Sequence, residues 1–94
     1  EFDAQEAYRI GIVQEIVESG EQLDRAIELA EEIAKLAPLA VYASKASSMT
    51  FIEHGEATTI AQLADTQRRL SATEDALEGV ASFKEKREAV FKGR

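Results

Sequence analysis

Residues 12–17, Ile-Val-Gln-Glu-Ile-Val, restrict the possible folds of this chain more than any other segment. Four of the six are β-branched, which favours an extended strand over a helix. No second segment of this kind occurs in the 94 residues. A strand carries N–H and C=O groups on both edges, and a buried edge needs a partner. The sequence therefore predicts a mainly α fold with one short strand near the N-terminus, whose sheet partners are absent from this chain or come from another copy. The chain starts at Glu1 and not at methionine, so a preceding segment is expected.

Everything else reads as helix. Asp3 caps a short helix to about Ile10, with Ala4, Ala7 and Tyr8 on one face and Gly11 as its stop. Glu18-Ser19-Gly20 is a turn, and Ser19 and Gln22 stand at capping-box spacing. The helix that follows is expected to reach about Ala37. Leu23, Ala26, Ile27, Ala30, Ile33 and Ala34 keep the 3, 4 spacing of one buried face, and Glu21–Arg25 and Glu31–Lys35 are favourable i, i+4 pairs. Pro38, the only proline, ends that helix and starts the next. Leu39, Tyr42, Ala46, Met49 and Ile52 then form a stripe to about Glu53, and His54-Gly55 is a break or bend. A further helix runs from Glu56 to about Leu70 with Ala57, Ile60, Ala61, Ala64 and Leu70 inward, or the two form one long bent helix. Ser71 and Glu74 make another capping box, with Thr73 as a competing cap, and the last helix is expected to reach about Ala89.

Charge and residue content exclude several kinds of function. The net charge is −7, which disfavours general binding of DNA or RNA. The charge is uneven. Residues 1–83 hold 6 basic and 16 acidic side chains, whereas residues 84–94 hold 5 basic and 2 acidic. There is no cysteine, hence no disulfide, thiolate metal site or cysteine nucleophile. No apolar run approaches the ~20 residues of a membrane span, and residues 1–6 are too polar for a signal peptide, so a cytoplasmic chain is expected. His54 is the sole histidine and has no set of further ligands at metal spacing. Ser44, Ser47 and Ser48 lie on a helical stretch without a base beside them. Carboxylate pairs such as Glu31-Glu32 and Glu74-Asp75 read as solvated faces or helix N-termini. From the residues alone, no catalytic group, metal ligand or cofactor site stands out.

Two stretches are less generic. Residues 3–17, Asp-Ala-Gln-Glu-Ala-Tyr-Arg-Ile-Gly-Ile-Val-Gln-Glu-Ile-Val, resemble the A-x-E-A-x-x-x-G-[LI]-V-x-x-V segment of the enoyl-CoA hydratase/isomerase (crotonase) family. Asp75, Glu78, Gly79, Phe83, Glu85, Lys86, Arg87, Phe91, Gly93 and Arg94 stand in register with that family's closing signature, D-x-x-E-G-x-x-A-F-x-E-K-R-x-x-x-F-x-G-R. Ser82 replaces the usual alanine, and Ala89 stands where proline is frequent. The resemblance covers the whole chain.

The resemblance implies the C-terminal helical region of a crotonase-like fold. Residues 1–17 would close the spiral domain of ββα units, and residues 18–94 would form the helical trimerisation and cap domain. The oxyanion-hole N–H groups and the acid/base side chains of the family lie in the larger N-terminal part, so this segment alone is expected to be inactive. It implies an acyl-CoA substrate, with hydration of 2-enoyl-CoA as the first choice of reaction, and a homo-oligomer, a trimer or dimer of trimers. It also assigns CoA contacts to Phe83, near the thioester's tail, and Lys86, near the phosphates and adenine. The alternative is an autonomous helical bundle acting as an interaction module without catalysis.

Overall fold

A computed structural model describes all of residues 1–94 and contains four helices: α1 (Ala4–Arg9), α2 (Gln22–Ala34), α3 (Pro38–Ser71) and α4 (Glu74–Glu85). The chain divides into two units, Glu1–Glu32 and Ile33–Arg94, each described by itself.

In the first unit Asp3 caps α1 as its position predicts, its Oδ1 accepting the Glu6 N–H at 2.8 Å. The helix ends in a Schellman turn. Gly11 lies at φ +81°, its N–H donates to the Tyr8 carbonyl, and the Ile12 N–H donates to the Ala7 carbonyl. Residues 12–17 do not form the predicted strand. The Ile12 and Val13 N–H groups both turn back to the Ala7 carbonyl, which no ladder allows. Beyond them the chain offers no second edge, and β-branching cannot create a sheet where the partner strand is missing. A side chain holds the segment instead: Glu15 receives the Arg25 Nε at 2.8 Å.

Two further expectations shift here. Gly20, at φ +99°, prolongs the turn, and the Gln22 carboxamide accepts the Gly20 N–H at 2.9 Å. The Ser19 capping box therefore does not form, and α2 begins at Gln22. Arg25 pairs with Glu15 and Glu28 and not with Glu21, because those carboxylates flank its guanidinium on two sides.

In the second unit Ala37 is extended (φ −60°, ψ 112°), as a residue before proline prefers, and Pro38 opens α3. Helix α2 has by then ended at Ala34, three residues short of the expected Ala37. Helix α3 is interrupted once, at Gly55 (φ +81°, ψ 177°), where the sequence predicts a bend. No other residue type takes that backbone region readily. The arms 38–54 and 56–71 face each other across a cleft of about 460 Å³, with Ala43, Ser47 and Thr50 opposite Thr59, Leu63 and Thr66. Thr73, not Ser71, caps α4: its Oγ1 accepts the Ala76 N–H at 3.1 Å and donates to the Leu70 carbonyl at 2.7 Å. Helix α4 ends at Glu85, four residues before the predicted Ala89.

The stripes predicted to be buried are present but uncovered. Neither α2 nor α3 contains a buried residue. Leu23 is 66% exposed, Tyr42 70% and Ile60 60%. The chain leaves 7921 Å² in contact with solvent. A self-contained globular protein of this mass exposes about 5,400 Å². Exposed apolar side chains on helix faces, of the kind that pack against other protein surfaces, contribute to the excess.

Candidate functional site

The most densely bonded part of the molecule is α4 with the tail that follows it. The tail turns back along the helix, and two acidic side chains of α4 hold its backbone. Asp75, 4% exposed, accepts the Lys92 N–H on Oδ1 and the Gly93 N–H on Oδ2, both at 2.7 Å. Its own N–H donates to the Arg94 carbonyl at 2.9 Å. One turn later Glu78 accepts the Val90 N–H at 2.9 Å and receives the Arg87 guanidinium on both oxygens. Arg87 also reaches Glu85 through Nε at 2.6 Å. Arg94 pairs with Glu74 at 2.9 Å.

Electrostatics follow this geometry. The Arg87 hydrogen bonds, then the Val90 N–H, pull the Glu78 carboxyl down to about 2. The same pair, with Glu85, raises Arg87.

Glycines make room for the tail. Phe91 lies over Gly79, 3.8 Å from where a Cβ would stand. Gly93, at φ +74°, sits 3.6 Å by the same measure from the Pro38 ring, so the chain's end packs on the start of α3. Glu74-Asp75 stands at a helix N-terminus as the sequence suggested, but only Glu74 is solvated. Asp75 sits in the first turn of α4, where the helix dipole favours an anion, yet it is buried under the tail. The spacing of Asp75, Glu78 and Gly79 on one helix face was the available signal, together with a penultimate glycine, Gly93, that a continuing helix disfavours.

Phe83 and Lys86 stand outside this network. Phe83 is 85% exposed, the most exposed large apolar side chain in the protein. Lys86 makes no ion pair and takes a left-handed backbone (φ +54°, ψ 43°), the only non-glycine residue to do so. It closes a Schellman turn in which the Arg87 N–H donates to the Ser82 carbonyl at 3.1 Å. Because α4 stops at Glu85, Phe83 and Lys86 do not share a helical face. Phe83 projects from the last turn and Lys86 from the cap.

The other residues weighed from sequence stay apart from this site. His54 lies 3.8 Å from Glu53 on α3, and the Ser48 hydroxyl donates to the Ser44 carbonyl. No group of three His, Asp or Glu side chains converges anywhere. No helix is long and apolar enough to cross a membrane.

Known proteins with this pattern agree with one another. The profile of the enoyl-CoA hydratase/isomerase family matches residues 1–94. A carnitinyl-CoA dehydratase of Proteus mirabilis is 44% identical over 97 aligned residues, which include 99% of this chain and 37% of the relative. A "probable enoyl-CoA hydratase/isomerase" from Mycobacterium abscessus has a crystal structure that superposes with a TM-score of 0.97 at 47% identity, over 99% of this chain and 36% of that one. An enoyl-CoA hydratase from Mycobacterium tuberculosis superposes at 0.90 with 32% identity, over 99% of this chain and 37% of that one. The chain belongs to the enoyl-CoA hydratase/isomerase family and corresponds to its C-terminal helical region. It spans little more than a third of the length of these relatives.

Proposed function

We propose that this chain is the C-terminal part of a cytoplasmic enzyme that moves water across the double bond of an acyl-CoA thioester, with hydration of 2-enoyl-CoA as the reaction. The observation that carries this reading is the match of 99% of this chain to a part of relatives named for that chemistry, dehydratase in one case and hydratase in another. Hydration and dehydration are one reaction run in opposite directions. Both require N–H donors for a thioester oxyanion and carboxylates placed for proton transfer. This segment's contribution is structural and binding: subunit contacts in a homotrimer or dimer of trimers, and part of the wall around CoA. Residues 1–17 end the spiral domain, and residues 18–94 form the helical cap. The uncovered faces of α2 and α3 speak for this reading and against a self-sufficient helical module.

Phe83 and Lys86 are the proposed contacts to the CoA ester. Eight of the ten residues in register with the closing signature are engaged by the clamp on the tail, and these two are left over, exposed and without partners. A free ammonium suits the CoA phosphates, and an exposed aromatic ring suits the apolar part of the ester. Losing one such charge-assisted contact costs on the order of 1 kcal/mol. In the complete enzyme Lys86→Ala is expected to raise KM for the CoA ester several-fold with little change in kcat, and to spare a pantetheine ester that lacks the nucleotide. Equal effects on both substrates would remove the assignment.

A further inference from the structure

Lys86 occupies the position of its turn that glycine fills at least strain, and its left-handed backbone disfavours any side chain bearing a Cβ. Gly11 fills the equivalent position after α1. The two residues flanking Lys86 are both tied down. Arg87 bridges Glu78 and Glu85, and Glu85 is held through that same guanidinium. Glu78 also grips the Val90 N–H on the far side of the turn. The strained residue is therefore enclosed by a ring of bonds that never touches its own side chain. The Glu78 side chain is 23% exposed and that of Arg87 41%, so the ring lies at the surface, around the turn that carries Lys86.

We propose that the Glu78–Arg87 ion pair is a positioning clamp for Lys86, holding the left-handed turn so that the ammonium is presented in one direction to an anionic nucleotide end of the substrate. This rests on the reading of Lys86 as a CoA contact and adds two positioning residues to it. Neither Glu78 nor Arg87 touches the ligand. A lysine side chain on a free turn samples many directions, and fixing its base leaves less freedom to lose on binding a phosphate.

The test uses the complete enzyme bearing this segment, with a CoA ester and the matching pantetheine ester as substrates. Glu78→Gln keeps the shape of the side chain but removes its charge. It is expected to raise KM for the CoA ester at least threefold, with kcat and the pantetheine KM changed less than twofold. In a Lys86→Ala background Glu78→Gln should add nothing further, since the clamp then has no ammonium to aim. Arg87→Lys keeps the cation but loses the fork that spans both carboxylates, and is expected to behave like Glu78→Gln. Should Lys86→Ala itself not discriminate between the esters, the role of Lys86 in binding falls, and this inference falls with it. A selective Lys86→Ala beside a Glu78→Gln that slows both substrates, or that adds fully to Lys86→Ala, overturns the clamp alone. Circular dichroism of each variant identifies one that fails to fold, and the other is then read in its place. Failure of both to fold would make the pair a support of the fold and overturn the inference.

Discussion

Replacing Asp75 by alanine should release the C-terminal tail. Asp75 holds two tail N–H groups at 2.7 Å each and is 4% exposed. A hydrogen bond to a charged group contributes about 1.5–3 kcal/mol net, so the two together set an upper bound of about 3–6 kcal/mol. The tail can avoid part of that loss by swinging into water, where its N–H groups are hydrated. The grips of Glu78 on Val90 and Glu74 on Arg94, with the backbone bond from residue 75 to the Arg94 carbonyl, then remain. A loosening of about 2–3 kcal/mol is the expected result, equivalent to a rise of roughly 30- to 150-fold in hydrogen exchange at the Lys92 and Gly93 amides. Asp75→Asn keeps one acceptor oxygen and turns an NH₂ toward the other N–H, so its effect should be about half as large in free energy. Amide exchange at Lys92 and Gly93 within threefold of the parent in Asp75→Ala would refute the claim that this carboxylate holds the tail.

Other consequences are open to measurement. Glu78 titrates near 2 when folded, against an ordinary 4.5, so its contribution is fully present above about pH 4.5 and is lost as pH falls toward 2. Protection of the Val90 amide should survive at pH 5 and disappear near pH 2, and a Glu78 carboxyl midpoint near 4.5 by NMR would contradict the ion-pair geometry. Gly55→Ala forces a Cβ into a backbone region at φ +81° and ψ 177° that costs on the order of 1–3 kcal/mol. A lowered Tm, or a straightened α3, is expected by circular dichroism and scattering, and an unchanged bend at unchanged Tm would speak against strain there. Purified 1–94 should self-associate through Tyr42, Met49, Ile60 and Leu63, all exposed. A clean monomer by light scattering at high concentration would argue otherwise.

Local rules made much of the fold legible. The Asp3 cap, the Gly11 stop, the Pro38 start and the Gly55 break each depend on one residue's backbone or side-chain chemistry, and each lies where that chemistry puts it. Two features escaped for the same physical reason: their partners are distant. Residues 12–17 have the composition of a strand, but a strand exists only against another edge, and none is in the chain. The capping box at its start predicts a last helix to about Ala89. Asp75, lying 17 residues before Lys92 and 18 before Gly93, decides otherwise by drawing the tail back. The Asp75 and Glu78 clamp was not read from the sequence, because its acceptors and the tail amides they hold are 12 to 18 residues apart. The resemblance implies CoA contacts at Phe83 and Lys86, and the end of α4 at Glu85 keeps the two from sharing a helical face.

The contrast between the two helix ends bears on what α4 is for. After α1 the left-handed position is glycine, the unstrained choice, and nothing else at that turn calls for a side chain. After α4 the same position is lysine, in a turn braced by a three-membered ion network. Stability alone would favour glycine there. The Lys86 backbone closes the turn while its side chain makes no ion pair within the fold, and the proposed contact to an anionic ligand supplies a reason for a lysine at a position that opposes the local preference. Asp75, Glu78, Gly79, Phe91 and Gly93 give the opposite case, since each is accounted for by the packing of tail on helix. Within one closing segment, then, the satisfied residues build the turn, and on the proposed reading the lysine without an ion pair is what the turn presents.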